Sequence, residues 1–275
     1  MTQDYNPYRT LALESPSELF HEASKLRESD SAIGRAVWSV NTSPVIRQVI
    51  SKPATSYFGY PLLHLPREHS RPDRPLAEVL LGRRSARVYT AESVELAELS
   101  ALLYYSVAVT STNTDSNGIV WGQRCAPSGG SLYPIDVYCI SQKVVGCNEG
   151  LYSYDPNAHG LQILAPGSHV DRISSATFLG ETVAKAAVVI LMAANFPRTK
   201  FKYGERAYRF TLLEAGHIAQ NMLLVAESLG LGALPVGGYV DDQLNAIIGA
   251  DGCEQAVVYA VIIGRLPKES TAQKT

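Results

Sequence analysis

Four segments of the chain carry side chains and backbone that could bind an anion or move a proton. The first is Arg83-Arg84-Ser85-Ala86-Arg87. It ends a stretch from Arg67 to Arg87 that holds six arginines, no lysine and three acidic residues. A guanidinium is planar and donates in pairs, which suits a phosphate, and Ser85 adds a hydroxyl. Taken alone, the run also reads as a solvated basic turn. The second is Arg124-Cys125-Ala126-Pro127-Ser128-Gly129-Gly130-Ser131-Leu132-Tyr133-Pro134. Its glycines would let backbone approach a ligand closely and its prolines would stiffen that approach; an ordinary loop is the alternative.

The third segment, Lys202-Tyr203-Gly204-Glu205-Arg206, leads into a long helical pattern. On that helix Glu214, His217 and Asn221 share one stripe, with Gln220 alongside. The surrounding positions are apolar enough to predict a buried helix, so the stripe must be paired. A structural network between packed helices and a direct role in a site both satisfy that demand. The fourth is Leu234-Pro235-Val236-Gly237-Gly238-Tyr239, with Gly264-Arg265-Leu266-Pro267 closing the last strand. Gly-Gly suits close approach and Arg265 offers a cation; a plain connection with a surface arginine reads equally well.

These segments need a scaffold, and the apolar pattern supplies one. Ser15, Pro16 and Glu18 predict a helix opening, with Leu19, Ala23 and Leu26 on one face. The rest of residues 1 to 66 reads as irregular and extended, an N-terminal extension that packs on the main domain or on a second subunit. Short helices are expected at Leu76 to Gly82 and around Leu96 to Leu103, the latter opened by Glu92-Ser93. A polar loop is expected at Thr110 to Gly118. Ile135 to Ser141 alternates as a strand, and Asp155-Pro156-Asn157 turns a hairpin between Gly150–Tyr154 and Leu161–Leu164. The continuous apolar run Ala187 to Ala193 predicts a strand covered on both faces. Glu205 to Leu229 is the longest helix, with Gly230 at its C′ position. A short helix around Gln243–Ile248 and a strand near Ala256–Ile263 follow. Interleaved helices and strands make the class α+β or α/β, with a main domain over 67–267 and a polar tail over 268–275.

The chain has 275 residues, of which 18% are charged, with a net charge of −2. That balance offers no general field for nucleic acid or an anionic membrane. With no signal-peptide pattern and no apolar run of bilayer length, a cytoplasmic protein is expected. The cysteines at 125, 139, 147 and 253 form no CxxC pair, so four buried or half-buried thiols are expected and no metal site. GxxxxGK[ST], HExxH and GxSxG are absent. Gly230-Leu231-Gly232 follows a helix instead of a strand, which argues against a Rossmann loop.

In this order, RRSARVY at 83–89, RCAPSGGSLYP at 124–134, GLYSYDPNAHGL at 150–161, the run from Lys202 to Tyr239, and VIIGRLP at 261–267 resemble the FMN-dependent nitroreductase superfamily. More narrowly they resemble its SagB-type (McbC-like) azoline dehydrogenases. The resemblance implies an α+β fold with a central, mostly antiparallel sheet flanked by helices, in an intertwined homodimer with FMN at the interface. It implies that Arg83, Arg84, Ser85 and Arg87 bind the cofactor phosphate, with Arg265 completing the anion pocket. Pro127, Ser128, Gly129 and Ser131 would reach the flavin from the partner subunit, and Pro235, Gly237 and Gly238 would line its ring. Lys202 and Tyr203 match the catalytic pair of the azoline-oxidising members.

The implied reaction turns a peptidyl or carrier-bound thiazoline or oxazoline into a thiazole or oxazole, with dioxygen reoxidising FMN. Residues 1–66 are short and irregular for the leader-binding module of some relatives. A cyclodehydratase or a nonribosomal synthetase module is therefore the expected presenting partner. An NAD(P)H-dependent nitroreductase or flavin reductase, and a flavin-free dimeric scaffold, are the alternatives.

Overall fold

The apolar run predicted as a doubly covered strand becomes the centre of the molecule. The structure, a computed structural model, describes residues 15–26, 31–51, 54–55, 57–68 and 70–267. In chain order the strands are β1 (Leu62–His64), β2 (Val94–Glu95), β3 (Val109–Thr114), β4 (Val120–Arg124), β5 (Ile135–Ser141), β6 (Val144–Val145), β7 (Gly150–Asp155), β8 (Gly160–Pro166), β9 (Val188–Asn195), β10 (Leu231–Val236) and β11 (Gln255–Arg265). The helices are α1 (Pro16–Ala23), α2 (Ser31–Thr42), α3 (Pro44–Ile50), α4 (Leu76–Gly82), α5 (Leu96–Val107), α6 (Val170–Thr177), α7 (Gly180–Lys185), α8 (Pro197–Tyr203), α9 (Arg206–Ser228) and α10 (Asp241–Ile248).

Seven strands form one sheet in the order β1-β8-β7-β5-β9-β11-β10, and every neighbouring pair is antiparallel. Side chains alternate across a strand, and β9 shows the consequence. Val188, Ile190, Met192 and Ala194 join the core beneath α5 and α9. Val189, Leu191 and Ala193 join the core beneath α6, α7 and α10. The fold is thus α+β, a large antiparallel sheet flanked by helices. No helix among the described residues is long and apolar enough to cross a membrane.

The long helix sets the geometry of the rest. Its start lies at the sheet end where Ile135 faces Ala194 and Gln255 faces Asn195. Its end hands over to Leu231, which pairs with Arg265 at the opposite end. Gly230, with φ of +70°, makes that reversal without the steric cost a Cβ would add.

Several expectations change. The stretch read as extended between residues 31 and 50 folds as α2 and α3. Ser43 caps α3 by accepting from Ile46 N–H, and Pro44 takes the first turn, an opening the isolated prolines concealed. The expected polar loop at Thr110–Gly118 is the first strand and turn of a β3–β4 hairpin. Helix α5 opens at Glu95, in a capping box with Glu98, two residues after the expected start. α9 is not buried all round: Leu212 is 41% exposed and Leu213 58%, while Gly216, His217 and Gln220 are exposed beside them. His217 therefore needs no partner, and Asn221 donates to the Ser106 carbonyl oxygen. Cys125 is half-buried and Cys139 and Cys147 are buried as expected, but Cys253 is exposed. The tail over 268–275 and the first fourteen residues lie outside the described residues.

Candidate functional site

The arginine arm follows α4 directly and runs beside the sheet edge. Ser85 bridges Ala233 of β10 in parallel register, and Ala86 N–H donates to the Ala233 carbonyl at 3.0 Å. Close approach here depends on Gly232, where a Cβ would stand 2.8 Å from that of Ala86. Arg87 is exposed and Arg83 half-buried. Arg84 points back instead, donating to the carbonyl oxygens of Leu81 and Arg83 and so capping α4. Arg265 is also committed: its guanidinium meets Glu98 with both Nη atoms, at 2.8 and 2.6 Å, and its Nε donates to the Ser93 carbonyl. A bidentate pair of this kind ties β11 to α5. Of the five polar residues expected to hold an anion, the structure leaves Arg83, Ser85 and Arg87 available.

Pro235 continues β10, and Gly237 and Gly238 leave it exposed. Among the described residues, its two chain neighbours aside, nothing lies within 4 Å of where a Cβ at Gly238 would stand. The backbone there is open to a flat ligand. Gly237 also lines a cavity of about 590 Å³ with Gly204, Ala207, Tyr208 and Tyr239.

The second cluster lies where α8 ends. Lys202 is 7% exposed, and its Nζ stands 5.2 Å from the centroid of the Tyr203 ring. Tyr203 packs edge-on against Phe210 at 5.1 Å. Both polar tips converge on Gly130, where a Cβ would collide with Tyr203 Oη and stand 2.8 Å from Lys202 Nζ. Gly130 has φ of +66°, and Ser131 and Tyr133 adopt +55° and +46°. Left-handed backbone costs a non-glycine residue roughly 1–2 kcal/mol, and clustered strain of this kind marks functional loops. Burial lowers the Lys202 ammonium from its ordinary value and raises the Tyr203 phenol from its own. Burial thus works toward an uncharged lysine and a protonated phenol. Lys202, Gly130 and Ser131 line one cavity of about 460 Å³. Among the described residues no cluster of His, Cys, Asp or Glu could hold a metal ion.

A buried polar network fixes the 124–134 loop beneath that cavity. Asp136 accepts from Arg198 at 3.0 Å and from the Thr55 hydroxyl at 2.6 Å, while Arg198 also donates to the Tyr133 carbonyl at 2.9 Å. The Ser128 hydroxyl accepts from Tyr133 N–H at 2.9 Å. Gly129 lies against Phe210 of α9, and Pro127 is exposed on the loop's outer side. Arg124 lies over the Tyr133 ring, 4.6 Å from its centroid. Glu214, 2% exposed, belongs to this group. Burial pushes its carboxyl up to about 7 against the opposing pull of Ser128, Arg124 and the Ile135 N–H. Arg198, Asp136 and Thr55 carried no sequence signal as site residues, because their partners are 62 and 81 positions apart.

The arginine arm and the Lys202 cluster lie at opposite ends of α9. Gly82, next to Arg83, faces Glu227 near the helix C-terminus, whereas Lys202 precedes its first residue. A helix of 23 residues is about 34 Å long. The sheet gives a second ruler. Ala233, beside Ser85, pairs with Ile263, and from there to Gln255 β11 runs about 26 Å. The cavity of Gly237 and the cavity of Lys202 share no lining residue. The arginine arm and the Lys202 pocket therefore lie apart within one chain, whereas Gly237, in a cavity with Gly204, Ala207 and Tyr208, lies toward the Lys202 end.

The relatives fit this geometry. The nitroreductase family model matches residues 80–265. The Methanocaldococcus jannaschii protein MJ1384, which bears a nitroreductase name, is 36% identical over 173 residues, covering 63% of this chain and 83% of its own. The microcin B17-processing protein McbC of Escherichia coli is 31% identical over 134 residues, 47% of this chain and 49% of McbC. The trifolitoxin-processing protein TfxB of Rhizobium leguminosarum bv. trifolii is 25% identical over 197 residues, 69% of this chain and 52% of TfxB. The chain thus spans about half the length of these two processing proteins. Among solved structures, the E. coli microcin synthetase McbBCD complex with truncated pro-MccB17 bound contains a chain similar at TM-score 0.56 and 20% identity. That match covers 93% of this chain and 95% of that one, a likeness of fold. The family match begins inside α4 and ends on the last residue of β11, and across that span, more than half of its length, the chain belongs to the nitroreductase family.

Proposed function

We propose that the protein is an FMN-dependent azoline dehydrogenase of the SagB type, aromatising thiazoline or oxazoline rings on a peptide or carrier-bound substrate. The observation that carries this reading is the buried Lys202, paired with the half-buried Tyr203 and seated with it on Gly130. Reducing a nitro group or a flavin requires no buried base; aromatising a ring requires removal of a carbon-bound proton. The processing names of McbC and TfxB support the same reading.

The residues present fit FMN. Arg83, Ser85 and Arg87 would hold its phosphate, and Pro235, Gly237 and Gly238 would carry its ring on open backbone. The loop of Pro127, Ser128, Gly129 and Ser131 would come from a second copy, because within one chain it lies at the far end of α9 from the arginine arm. The exposed apolar face of that helix, Leu212 and Leu213, suits a homodimer interface. Arg265 and Arg84 take bracing roles in place of phosphate contacts.

FMN held by these residues would supply a two-electron acceptor for the hydride equivalent of the ring, with dioxygen as the final oxidant. Lys202, whose burial favours the uncharged amine, would take the ring proton. Tyr203, kept protonated by burial, donates toward the ring heteroatom or the lysine nitrogen. The test is mass spectrometry on thiazoline peptides and carrier-bound thioesters incubated with the aerobic holoprotein. Loss of two hydrogens supports the reading, and unchanged mass across both substrate classes contradicts it.

The similarity to MJ1384 favours a second reading, an NAD(P)H-dependent nitroreductase or flavin reductase. Anaerobic mixing with NADPH separates the two: rapid bleaching of the flavin favours the reductase.

A further inference from the structure

The cavity over Lys202 is walled by parts of the chain remote from one another in sequence. Val40 of α2 and Ile50 of α3 form one side; Trp121, Asn113 and Gln123 of the β3–β4 hairpin form the other. The two sides are tied together. Asp115 at the hairpin tip accepts the backbone N–H groups of Asn117 and Ile119 on Oδ1, at 2.8 and 2.9 Å. Its Oδ2 meets Arg47 Nη1 of α3 at 3.0 Å. Burial opposes the Asp115 carboxylate, but those N–H groups and Arg47 hold it below its ordinary value. Arg47 also lies 5.8 Å from the centroid of the Trp121 ring.

This wall has a definite chemistry. Arg47 and Asp115 neutralise each other, so among the described lining residues Lys202 is the one basic side chain without a carboxylate partner. A nicotinamide dinucleotide brings a diphosphate, which calls for several cations or a helix N-terminus. An azoline ring is planar and uncharged, and the indole of Trp121 with Val40 and Ile50 offers it apolar walls. The Asn113 and Gln123 amides match the peptide groups on either side of such a ring. At about 460 Å³ the cavity has the size of a small-ligand site.

We propose that this pocket seats the azoline ring with its flanking residues, and that Trp121 and the Arg47–Asp115 pair select an uncharged heterocyclic peptide over a nicotinamide dinucleotide. This rests on the dehydrogenase reading above. Helices α2 and α3 are then the substrate-side cover of the site, supplied by the same chain as Lys202.

The test uses the holoprotein and two thiazoline peptides, one with neutral residues beside the ring and one with an aspartate there. Trp121→Ala raises KM for the neutral peptide about tenfold or more, with kcat changed by less than about threefold. Asp115→Asn leaves Arg47 uncompensated and shifts the kcat/KM preference toward the acidic peptide by about tenfold. If both variants keep the wild-type KM and preference, the proposal is overturned; should Trp121→Ala fail to fold, the Asp115→Asn preference decides alone.

A binding measurement separates this inference from the reading beneath it. In a Trp38→Phe background Trp121 is the remaining one of the chain's two tryptophans, and its emission reports occupancy. Emission changes on adding thiazoline peptide without turnover sustain the pocket and remove the dehydrogenase reading. Turnover with unaltered Trp121 emission does the reverse.

Discussion

The two ends of α9 carry different kinds of site. At its C-terminal end the arginine arm is one short, continuous segment, with Arg87 exposed and Ser85 held beside β10 by the Ala86 N–H bond to Ala233. At its N-terminal end the Lys202 pocket draws on α2, α3, the hairpin, the 130–131 turn and α8. The first end offers charge, which needs little more than residue type and a nearby edge. The second offers a shifted proton affinity, which needs walls that exclude water, and walls come from distant segments. The arginine arm is local in sequence, whereas the walls around the adjacent Lys202 and Tyr203 are assembled by tertiary packing.

That contrast makes the two ends separable by substitution. Lys202→Ala with Tyr203→Phe should lower azoline oxidation by about 10²–10⁴-fold, while the protein keeps its flavin absorbance. In the wild type kcat/KM should rise with pH, with its inflection below the ordinary lysine value of 10.5. Loss of the flavin in the double variant would mean that the pair is structural.

Glu214 sharpens the same contrast through stability. Its folded-state value, about 7, lies above the ordinary 4.5. Its contribution to stability is therefore complete below about pH 4.5 and lost as pH rises through 7. Glu214→Gln has no such loss. Relative to the wild type it should gain on the order of 3 kcal/mol between pH 5 and 8 in denaturant unfolding. A pH-independent difference would show that the carboxylate is solvated.

The arginines rank lower. Arg83→Ala should weaken FMN binding by roughly 1.5–3 kcal/mol, or about 10- to 100-fold, in equilibrium dialysis. Arg265→Ala should leave FMN affinity unchanged and lower stability by about 1 kcal/mol, because its contact is with Glu98. Equal losses of FMN in both variants would return Arg265 to the phosphate.

Legibility in the sequence follows the same division. The strands β5, β7, β8 and β9 and the helices α4 and α9 announce themselves through period and turn residues, and the motif residues stand within a few positions of one another. Hidden were the features that depend on partners far away. α3 was masked by its prolines, though Ser43-Pro44 is a start signal in its own right. Arg265 read as a free cation because Glu98 is 167 residues distant. The exposed leucines of α9 read as buried, since periodicity reports an apolar face and does not say whether the same chain covers it.

The most direct measurement is complementation between two variants, Arg83→Ala, assayed at FMN too dilute to load it, and Lys202→Ala/Tyr203→Phe, co-expressed with different affinity tags. If each site joins the arginine arm of one chain to the Lys202 pocket of another, mixed dimers hold one intact site. Co-expression then restores azoline oxidation to about a quarter of wild type. If a single chain furnished both halves, every site in the mixed dimer would carry a defect. Activity that stays at the level of the separate variants would contradict the shared site.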